Sequence, residues 1–428
     1  MDNWIEIQPC GPLEAEIQPP GSKSITNRAL VCAAFAHGTS VLTGALDSED
    51  TRVMISSLRQ LGIEIAIDQG GTRLRVKGCN GIPPTKQASL FVANSGTTMR
   101  FLTAMLGTID GTFRIDGIER MRVRPIADLL ESLVLLGAST YSENNDGCPP
   151  ICINGGGMRG GTANIRGDIS SQFLSGLLLA APNSKAAIKL LVDGSLVSTP
   201  YIDMTIRVME AFGVQIDQNQ HDTFQITPQQ YASTDFLIEP DASAASYFWA
   251  AAAIAGGAVT VRGLRRDALQ GDVAFCDCLQ RMGCRVENNQ NGITVLSGTL
   301  RGIEVDMNNI SDTVQTLAAV ALFADGPTTI TGVAHIRHKE TDRITDLARE
   351  LRKFGADVEE NTDGLRITPQ KLRPAEIETY NDHRMAMSLA LVGLKIPKVV
   401  IQNPDCTQKT YPAFFDDLNS VCNTNRDS

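Results

Sequence analysis

A short strand ending at or near glycine recurs six times along this chain. It reads Gly38-Thr-Ser-Val-Leu-Thr-Gly44, Gly111-Thr-Phe-Arg-Ile-Asp-Gly117, Ile188-Lys-Leu-Leu-Val-Asp-Gly194, Ala258-Val-Thr-Val-Arg-Gly263, Thr328-Thr-Ile-Thr-Gly332 and Val399-Val-Ile-Gln-Asn403. The endpoints return about every 70 residues, a period that implies one supersecondary unit used repeatedly. Within each unit an apolar helix precedes the strand and tends to stop near glycine, at Gly107, Gly256, Gly326 and Gly393. A second helix follows and ends in a shared phrase: Leu61-Gly62-Ile63, Leu136-Gly137-Ala138, Phe212-Gly213-Val214, Met282-Gly283-Cys284, Phe354-Gly355-Ala356. Alternating strands such as residues 63–68 and 73–77 close the unit. The spacing therefore predicts an α/β chain of six βαβαββ units. The last lacks its final strands, which residues 4–18 are expected to supply.

Two extended segments stopped by proline, Glu16-Ile-Gln-Pro-Pro20 and Leu237-Ile-Glu-Pro240, are expected to lead into the first and fourth units and to cross between two three-unit domains. One domain would span 21–238. The other would join 1–20 to 239–428, with a hinge near Pro20 and Pro240.

At 428 residues two domains are the natural expectation, and 43% apolar with 20% charged residues is ordinary for a globular chain. A net charge of −10 argues against a broad nucleic-acid or anionic-membrane surface. Apolar runs such as Ala250–Ala255 are far too short to span a bilayer. The opening Met1-Asp2-Asn3-Trp4-Ile5 has neither a basic leader nor an Arg/Ser-rich one, so a cytoplasmic protein is expected. Ten cysteines without a C-x-x-C pair, Cys276 and Cys278 pointing to different helix faces, and five scattered histidines suggest buried thiols and no metal.

The first helix of every unit opens on a polar phrase: Lys23-Ser24-Ile-Thr-Asn-Arg28, Asn94-Ser-Gly96-Thr97, Ser170-Ser171-Gln172, Asp241-Ala-Ser243, Asn309-Ile-Ser-Asp312 and Asn381-Asp382-His383-Arg384. The second helices are expected to start near Arg124, Ser198-Thr-Pro-Tyr201, Lys339-Glu340-Thr-Asp-Arg343 and Lys409. Helix capping accounts for Asp241 and Ser243. It does not account for Lys23, Arg28, Arg124, Arg343, Arg384 and Lys409, because a cation at a helix N-terminus opposes the macrodipole unless an anion is bound. Binding of more than one phosphate or carboxylate is implied. Among these cations stand Asp312 and Glu340, either salt-bridge partners or, in a site crowded with anions, proton-transfer groups.

Pro20-Gly-Ser-Lys-Ser-Ile-Thr-Asn-Arg28, Asn94-Ser-Gly-Thr97, Arg124-Pro-Ile126, Ser170-Ser-Gln-Phe173, Leu196-Val-Ser-Thr-Pro-Tyr201, Lys339-Glu-Thr-Asp-Arg343, Asn381-Asp-His-Arg-Met-Ala-Met387 and Cys406-Thr-Gln-Lys409 together resemble the 5-enolpyruvylshikimate-3-phosphate synthase family, in order and over nearly the whole chain. The resemblance implies an inside-out α/β barrel of two domains that closes over phosphoenolpyruvate and shikimate 3-phosphate, with no cofactor and no metal. A monomer is expected, with no nucleic-acid or membrane partner. It implies that Ser24, Arg28, Ser170, Ser171, Ser198, Tyr201, Asp312 and Lys339 hold shikimate 3-phosphate. Lys23, Gly96, Arg124, Gln172, Arg343, Arg384 and Lys409 would hold phosphoenolpyruvate, with Asn94, Thr97, His335 and His383 as auxiliaries. Lys23, Asp312 and Glu340 would be catalytic, Asp312 at the attacking 5-hydroxyl and Glu340 protonating the methylene carbon.

Thr98 and Phe101 depart from the Gly-Asn-Ala-Gly-Thr-Ala-Met-Arg-Pro stretch of herbicide-sensitive members, which predicts weaker glyphosate inhibition, and His335 stands where the family often has Asn. Two alternatives are a sister transferase acting on UDP-N-acetylglucosamine and a non-catalytic polyanion-binding relative. The first uses a reactive Cys shortly before an Arg-Pro, and residues 118–125 contain none. The second would gain nothing from two acids.

Overall fold

The computed structural model describes residues 3–423. The chain opens with β1 (Trp4–Ile7) and β2 (Leu13–Ile17). The first repeat supplies α1 (Lys23–Phe35), β3 (Thr39–Thr43), α2 (Glu49–Gln60), β4 (Glu64–Asp68) and β5 (Arg73–Lys77). The second supplies β6 (Gln87–Phe91), α3 (Gly96–Leu106), β7 (Thr112–Asp116), α4 (Ala127–Leu135), β8 (Thr140–Ser142) and β9 (Ile151–Asn154). The third supplies β10 (Gly161–Arg166), α5 (Ser171–Ala180), β11 (Ile188–Asp193), α6 (Thr199–Ala211), β12 (Asp217–Asn219) and β13 (Thr223–Ile226), and β14 (Asp235–Leu237) follows. The fourth contains α7 (Ala242–Ala255), β15 (Gly257–Arg262), α8 (Phe275–Met282), β16 (Arg285–Asn288) and β17 (Gly292–Leu296). The fifth contains β18 (Glu304–Asp306), α9 (Val314–Ala321), β19 (Thr328–Thr331), α10 (Thr345–Lys353), β20 (Asp357–Asn361) and β21 (Gly364–Thr368). The last is β22 (Glu376–Ile377), α11 (His383–Gly393), β23 (Val399–Gln402) and α12 (Phe414–Asn423).

Five sheets share one strand order, in which a leading strand lies beside the strand after the first helix, then the fourth strand, then the third; in three of them, β6-β7-β9-β8 for example, the leading strand directly precedes that helix in the chain. The first two strands are parallel and the others antiparallel, as β6 with β7 and β7 with β9 show. This is the βαβαββ unit that the spacing predicts, and the two-domain α/β class holds.

The terminal segments depart from expectation. Only β1 completes the sixth sheet, antiparallel to β23. β2 instead pairs in parallel with β15, Leu13 opposite Gly257 and Ile17 opposite Val261. Reciprocally, β14 pairs in parallel with β3 of the first repeat. The cause is the crossover itself: each first helix needs a parallel strand ahead of it, and each of these two segments serves the helix that does not follow it directly. The chain accordingly divides into two compact units, Gly21–Ile238 (here the first unit) and Met1–Pro20 with Glu239–Ser428 (the second).

In each unit the first helices of the repeats form the interior. Every residue of α3, α7 and α11 is buried, whereas second helices bury one face, as α10 does with Leu347, Ala348 and Leu351. In the first unit Arg28 Nη2 of α1 donates to Ser175 Oγ of α5 at 3.3 Å, and a Cβ on Gly176 of α5 would meet the Arg100 carbonyl of α3 at 3.1 Å. These residues sit at matching depths, so the three helix starts share one side. In the second unit Ser246, Thr316 and Ser388 link α7, α9 and α11 in the same way, at 3.1 and 3.2 Å. No helix among the described residues is long and apolar enough to cross a membrane.

Candidate functional site

Pooled helix starts fix where the polar phrases go, and each unit carries its own set. Caps come first: Ser22, Ser95, Ser170, Asp241 and Asp382 accept from backbone N–H groups at the starts of α1, α3, α5, α7 and α11. This satisfies donors that a helix start otherwise leaves orphaned. Asp241 caps as expected. Ser243 does not; its hydroxyl donates to Asp272 Oδ2 at 2.9 Å.

In the first unit Lys23 opens α1 beside Ser24, both half-buried. Arg28 lies beyond the first turn and is 2% exposed. It donates to Thr205 Oγ1 (2.7 Å), the Ser24 carbonyl (2.9 Å), Ser175 Oγ and the Tyr201 carbonyl (3.2 Å). Its guanidinium also stacks over the rings of Phe101 and Tyr201. Burial draws its pKa down to about 10, which leaves it charged at neutral pH. Arg28 thereby ties Ser24 to Tyr201. Ser198, 4% exposed, enters α6 with φ 54°.

Gly96, with Asn94 and Thr97 beside it, begins α3 against two guanidiniums. A Cβ there would stand 2.7 Å from both Arg100 Nη1 and Arg124 Nη2. Arg100 fixes this corner by donating to the Gly96 and Pro125 carbonyls, each at 3.2 Å. Arg124 is 6% exposed and lies just ahead of α4, in extended conformation at the end of a short 3-10 turn. Ser170, Ser171 and Gln172 start α5. A buried network, Asn27 Nδ2 to Asp50 Oδ1 (2.9 Å), Ser95 Oγ to Asp50 Oδ1 (3.0 Å) and Ser95 Oγ to Thr98 Oγ1 (2.7 Å), locks the starts of α1 and α3 to α2.

The second unit gathers acids and cations into one lattice around Arg343, which is 1% exposed. Arg343 donates through Nε and Nη2 to the two oxygens of Asp382 (2.7 and 3.0 Å). Nη2 also meets Glu340 Oε2 at 2.9 Å, and Nη1 meets Asp312 Oδ1 at 3.4 Å. Asp312 further pairs with Lys339 Nζ (2.7 Å) and Arg384 Nη2 (2.6 Å), and Glu340 with Lys409 Nζ (2.6 Å). Burial would lower the Arg343 pKa, but Asp382, Glu340 and Asp312 outweigh it and hold the guanidinium above its ordinary value. Lys339 is drawn down by burial, with Asp312 opposing. His335, 8% exposed, is pushed down to about 3 by burial and then by Lys339. His383 is 1% exposed, its Nδ1 3.6 Å from Asp382 Oδ1.

Of the six cations read as helix-start violations, Lys23 and Arg384 sit in first turns. Arg343 and Lys409 lie in the turns ahead of α10 and α12, where carboxylates and not a dipole set their environment. Sequence reasoning missed Asp382. It is fully buried and serves twice, capping Arg384 N at 2.9 Å and forking onto Arg343. Its cap position between Asn381 and His383 was the available signal; the pairing with Arg343 spans 39 residues and has no local one. Tyr380 and Asn381, at φ 53° and 55°, deliver it. That left-handed turn is held by Tyr380 Oη and the Glu378 N–H, which donate to Glu350 at 2.7 and 3.0 Å.

Chemically, such a lattice can hold an anion and move a proton. Four cations face three carboxylates, and all three of those carboxylates meet one guanidinium, that of Arg343. Comparison with known proteins agrees with this chemistry. The family described as EPSP synthase (3-phosphoshikimate 1-carboxyvinyltransferase) matches residues 7–418. The 3-phosphoshikimate 1-carboxyvinyltransferase of Shewanella denitrificans is 47% identical over 415 residues, 96% of this chain and 97% of that one. The protein of the same name from Nostoc punctiforme is 47% identical over 407 residues, covering 94% and 95%. The solved EPSP synthase of Acinetobacter baumannii superposes with a TM-score of 0.81 at 26% identity, covering 98% of both chains.

Proposed function

Because this chain belongs to the EPSP synthase (3-phosphoshikimate 1-carboxyvinyltransferase) family, we propose that it transfers the enolpyruvyl group of phosphoenolpyruvate to the 5-hydroxyl of shikimate 3-phosphate, releasing phosphate. The observation that carries the proposal is the pairing of Glu340 and Asp312 with one guanidinium, that of Arg343, among Lys339, Arg384 and Lys409.

In this reading Arg124, Gln172, Arg343, Arg384 and Lys409 take the phosphate and carboxylate of phosphoenolpyruvate, and Gly96 leaves room for them. Ser24, Ser170, Ser171, Ser198, Tyr201 and Lys339 take shikimate 3-phosphate, with Arg28 positioning Ser24 and Tyr201. Lys23 serves both anions. Glu340 delivers a proton to C3 of the enol, which leaves C2 cationic. The 5-hydroxyl adds to C2 as Asp312 receives its proton, giving a tetrahedral phospholactoyl adduct. Glu340 then takes a proton back from C3, the C2–C3 double bond reforms, and the C2–O bond to phosphate breaks, the leaving phosphate carrying off the proton that Asp312 received. Fixed charges aimed at the developing cation and at the leaving phosphate supply the transition-state stabilisation.

Neither alternative acceptor chemistry nor simple polyanion binding is favoured by family membership. The test is phosphate release by the purified protein with shikimate 3-phosphate and, separately, with UDP-N-acetylglucosamine. Turnover with the first alone is expected. Turnover with the second, or with neither, overturns the proposal.

A further inference from the structure

Cys10 and Cys422 lie 412 residues apart in sequence, yet their sulfurs are 3.2 Å apart within the second unit. Cys10 sits in the connection between β1 and β2, where its N–H donates to the Leu394 carbonyl at 3.1 Å. Cys422 occupies the last turn of α12, whose Phe414, Leu418 and Val421 are buried in the same core. Both residues are half-buried. Cys32, Cys276 and Cys406 differ: they are buried, and burial pushes their thiols up, away from the reactive thiolate. The expectation of buried thiols holds for Cys32, Cys276, Cys278, Cys284 and Cys406 and fails for Cys10, Cys79, Cys148, Cys152 and Cys422, which are half-buried; Cys10 and Cys422 stand together at the margin of the second unit's core.

We propose that Cys10 and Cys422 form a reversible disulfide site, closed by thiol–disulfide exchange with a low-molecular-weight disulfide such as oxidised glutathione. The thiolate of one cysteine attacks a sulfur of the reagent. The reagent's S–S bond breaks, one glutathione leaves as thiolate, and a mixed disulfide remains on the protein. The second cysteine, losing its proton, attacks the protein sulfur of that mixed disulfide and expels the other glutathione. Two protein thiols are oxidised and one reagent disulfide is reduced to two thiols, which take up the two protons released. The bond fastens the connection between the sheets of the sixth and fourth repeats to the last helix. Closing a loop of nearly the whole chain, it removes more freedom from the unfolded state than a short-range bridge would.

The test uses the full-length enzyme, equilibrated with mixtures of oxidised and reduced glutathione, quenched by alkylation and mapped without reduction. A cross-linked peptide joining Cys10 to Cys422 is expected. So is a melting temperature raised by on the order of 5 °C, reversed by reductant and absent from Cys10→Ser and Cys422→Ser. Those variants should turn over as the reduced wild type does, since neither thiol belongs to the acid–cation lattice. Recovery of both cysteines as separately alkylated or separately glutathionylated residues at the most oxidising ratio overturns the proposal. A bridge between two chains, or to a different cysteine, overturns it equally.

Discussion

The two units build their helix starts on the same scaffold and furnish them oppositely. The first presents hydroxyls, an amide and guanidiniums held by carbonyls: Arg28 on Ser24 and Tyr201, Arg100 on Gly96 and Pro125. The second presents charges held by charges, with Asp312, Glu340 and Asp382 interleaved among Lys339, Arg343, Arg384 and Lys409. Carbonyl-held cations keep their full charge for an incoming anion, which suits recognition. A lattice of alternating charges can pass a proton without ever burying an uncompensated ion, which suits chemistry. Repetition fixed the backbone, and the difference lies wholly in which side chains the helix starts carry.

If the division holds, the largest losses come from the acids of the second unit. Glu340→Ala and Asp312→Ala should each lower kcat by about 10²–10⁴-fold, the usual worth of a positioned acid or base. Glu340→Ala should leave shikimate 3-phosphate binding nearly intact by calorimetry. Normal kcat with lost binding would reverse its role. Lys23→Met, in the first unit, should cost about 10²–10³-fold in kcat with unfolding midpoints unchanged, because its half-buried ammonium serves ligands and not the core. A variant that is merely less stable would make Lys23 structural and blur the contrast.

Asp382 tests whether the lattice acts as one object. Asp382→Asn keeps the helix cap but turns an amide towards the Arg343 fork. Breaking a buried pair in this way costs roughly 3–5 kcal/mol of stability. A rise in the phosphoenolpyruvate KM of about tenfold is expected, since 1.4 kcal/mol of lost positioning is a factor of ten. His335 gives a smaller, pH-dependent effect. Its folded pKa of about 3 lies below the ordinary 6.5, so its neutral form is the one the fold accepts. The associated stability is complete above pH 6.5 and drains as pH falls towards 3, at most about 1.4 kcal/mol per unit. His335→Asn should flatten that part of the urea-midpoint profile between pH 6.5 and 4 while leaving kcat at neutral pH within about twofold. An unchanged profile would mean that the second unit's acid sensitivity resides in its carboxylates alone.

How much of this was legible in the sequence follows from the range of each interaction. Turn glycines, caps and alternating strands act within a few residues, so six repeats could be counted from residues 38–403. The crossing of residues 1–20 into the second unit was legible from the prolines, but the sheet that β2 joins was not, because a strand of five residues carries no mark of the fourth repeat over the sixth. Cations drew attention to the site because they broke a local rule at helix starts. Arg124, Arg343 and Lys409 stand in the turns ahead of their helices. Asp382 looked like a cap and is one, but its fork onto Arg343 spans 39 residues, and the Cys10–Cys422 contact spans 412. Only the folded chain reveals such pairs.

The smallest effect concerns Phe101 and asks whether the first unit's recognition is divided within itself. On α3 a residue advances 100° per position, so Phe101 points about 140° away from Gly96. Its fully buried ring lies under Arg28, 5.2 Å from ring centroid to Cζ, while Gly96 borders Arg100 and Arg124. A change at Phe101 should therefore reach Ser24 and Tyr201 through Arg28 before it reaches the wall at Gly96. Phe101→Leu removes the π face from a desolvated guanidinium, which costs about 1–2 kcal/mol of stability. The KM for shikimate 3-phosphate should rise about two- to threefold, a fraction of a kcal/mol in positioning. The glyphosate inhibition constant, measured at matched phosphoenolpyruvate, should stay unchanged if Gly96 alone sets that wall. A shift in the glyphosate constant with an unaltered shikimate 3-phosphate KM would instead mean that the aromatic ring rotates the start of α3, the origin of weak inhibition that its departure from the family's proline predicts.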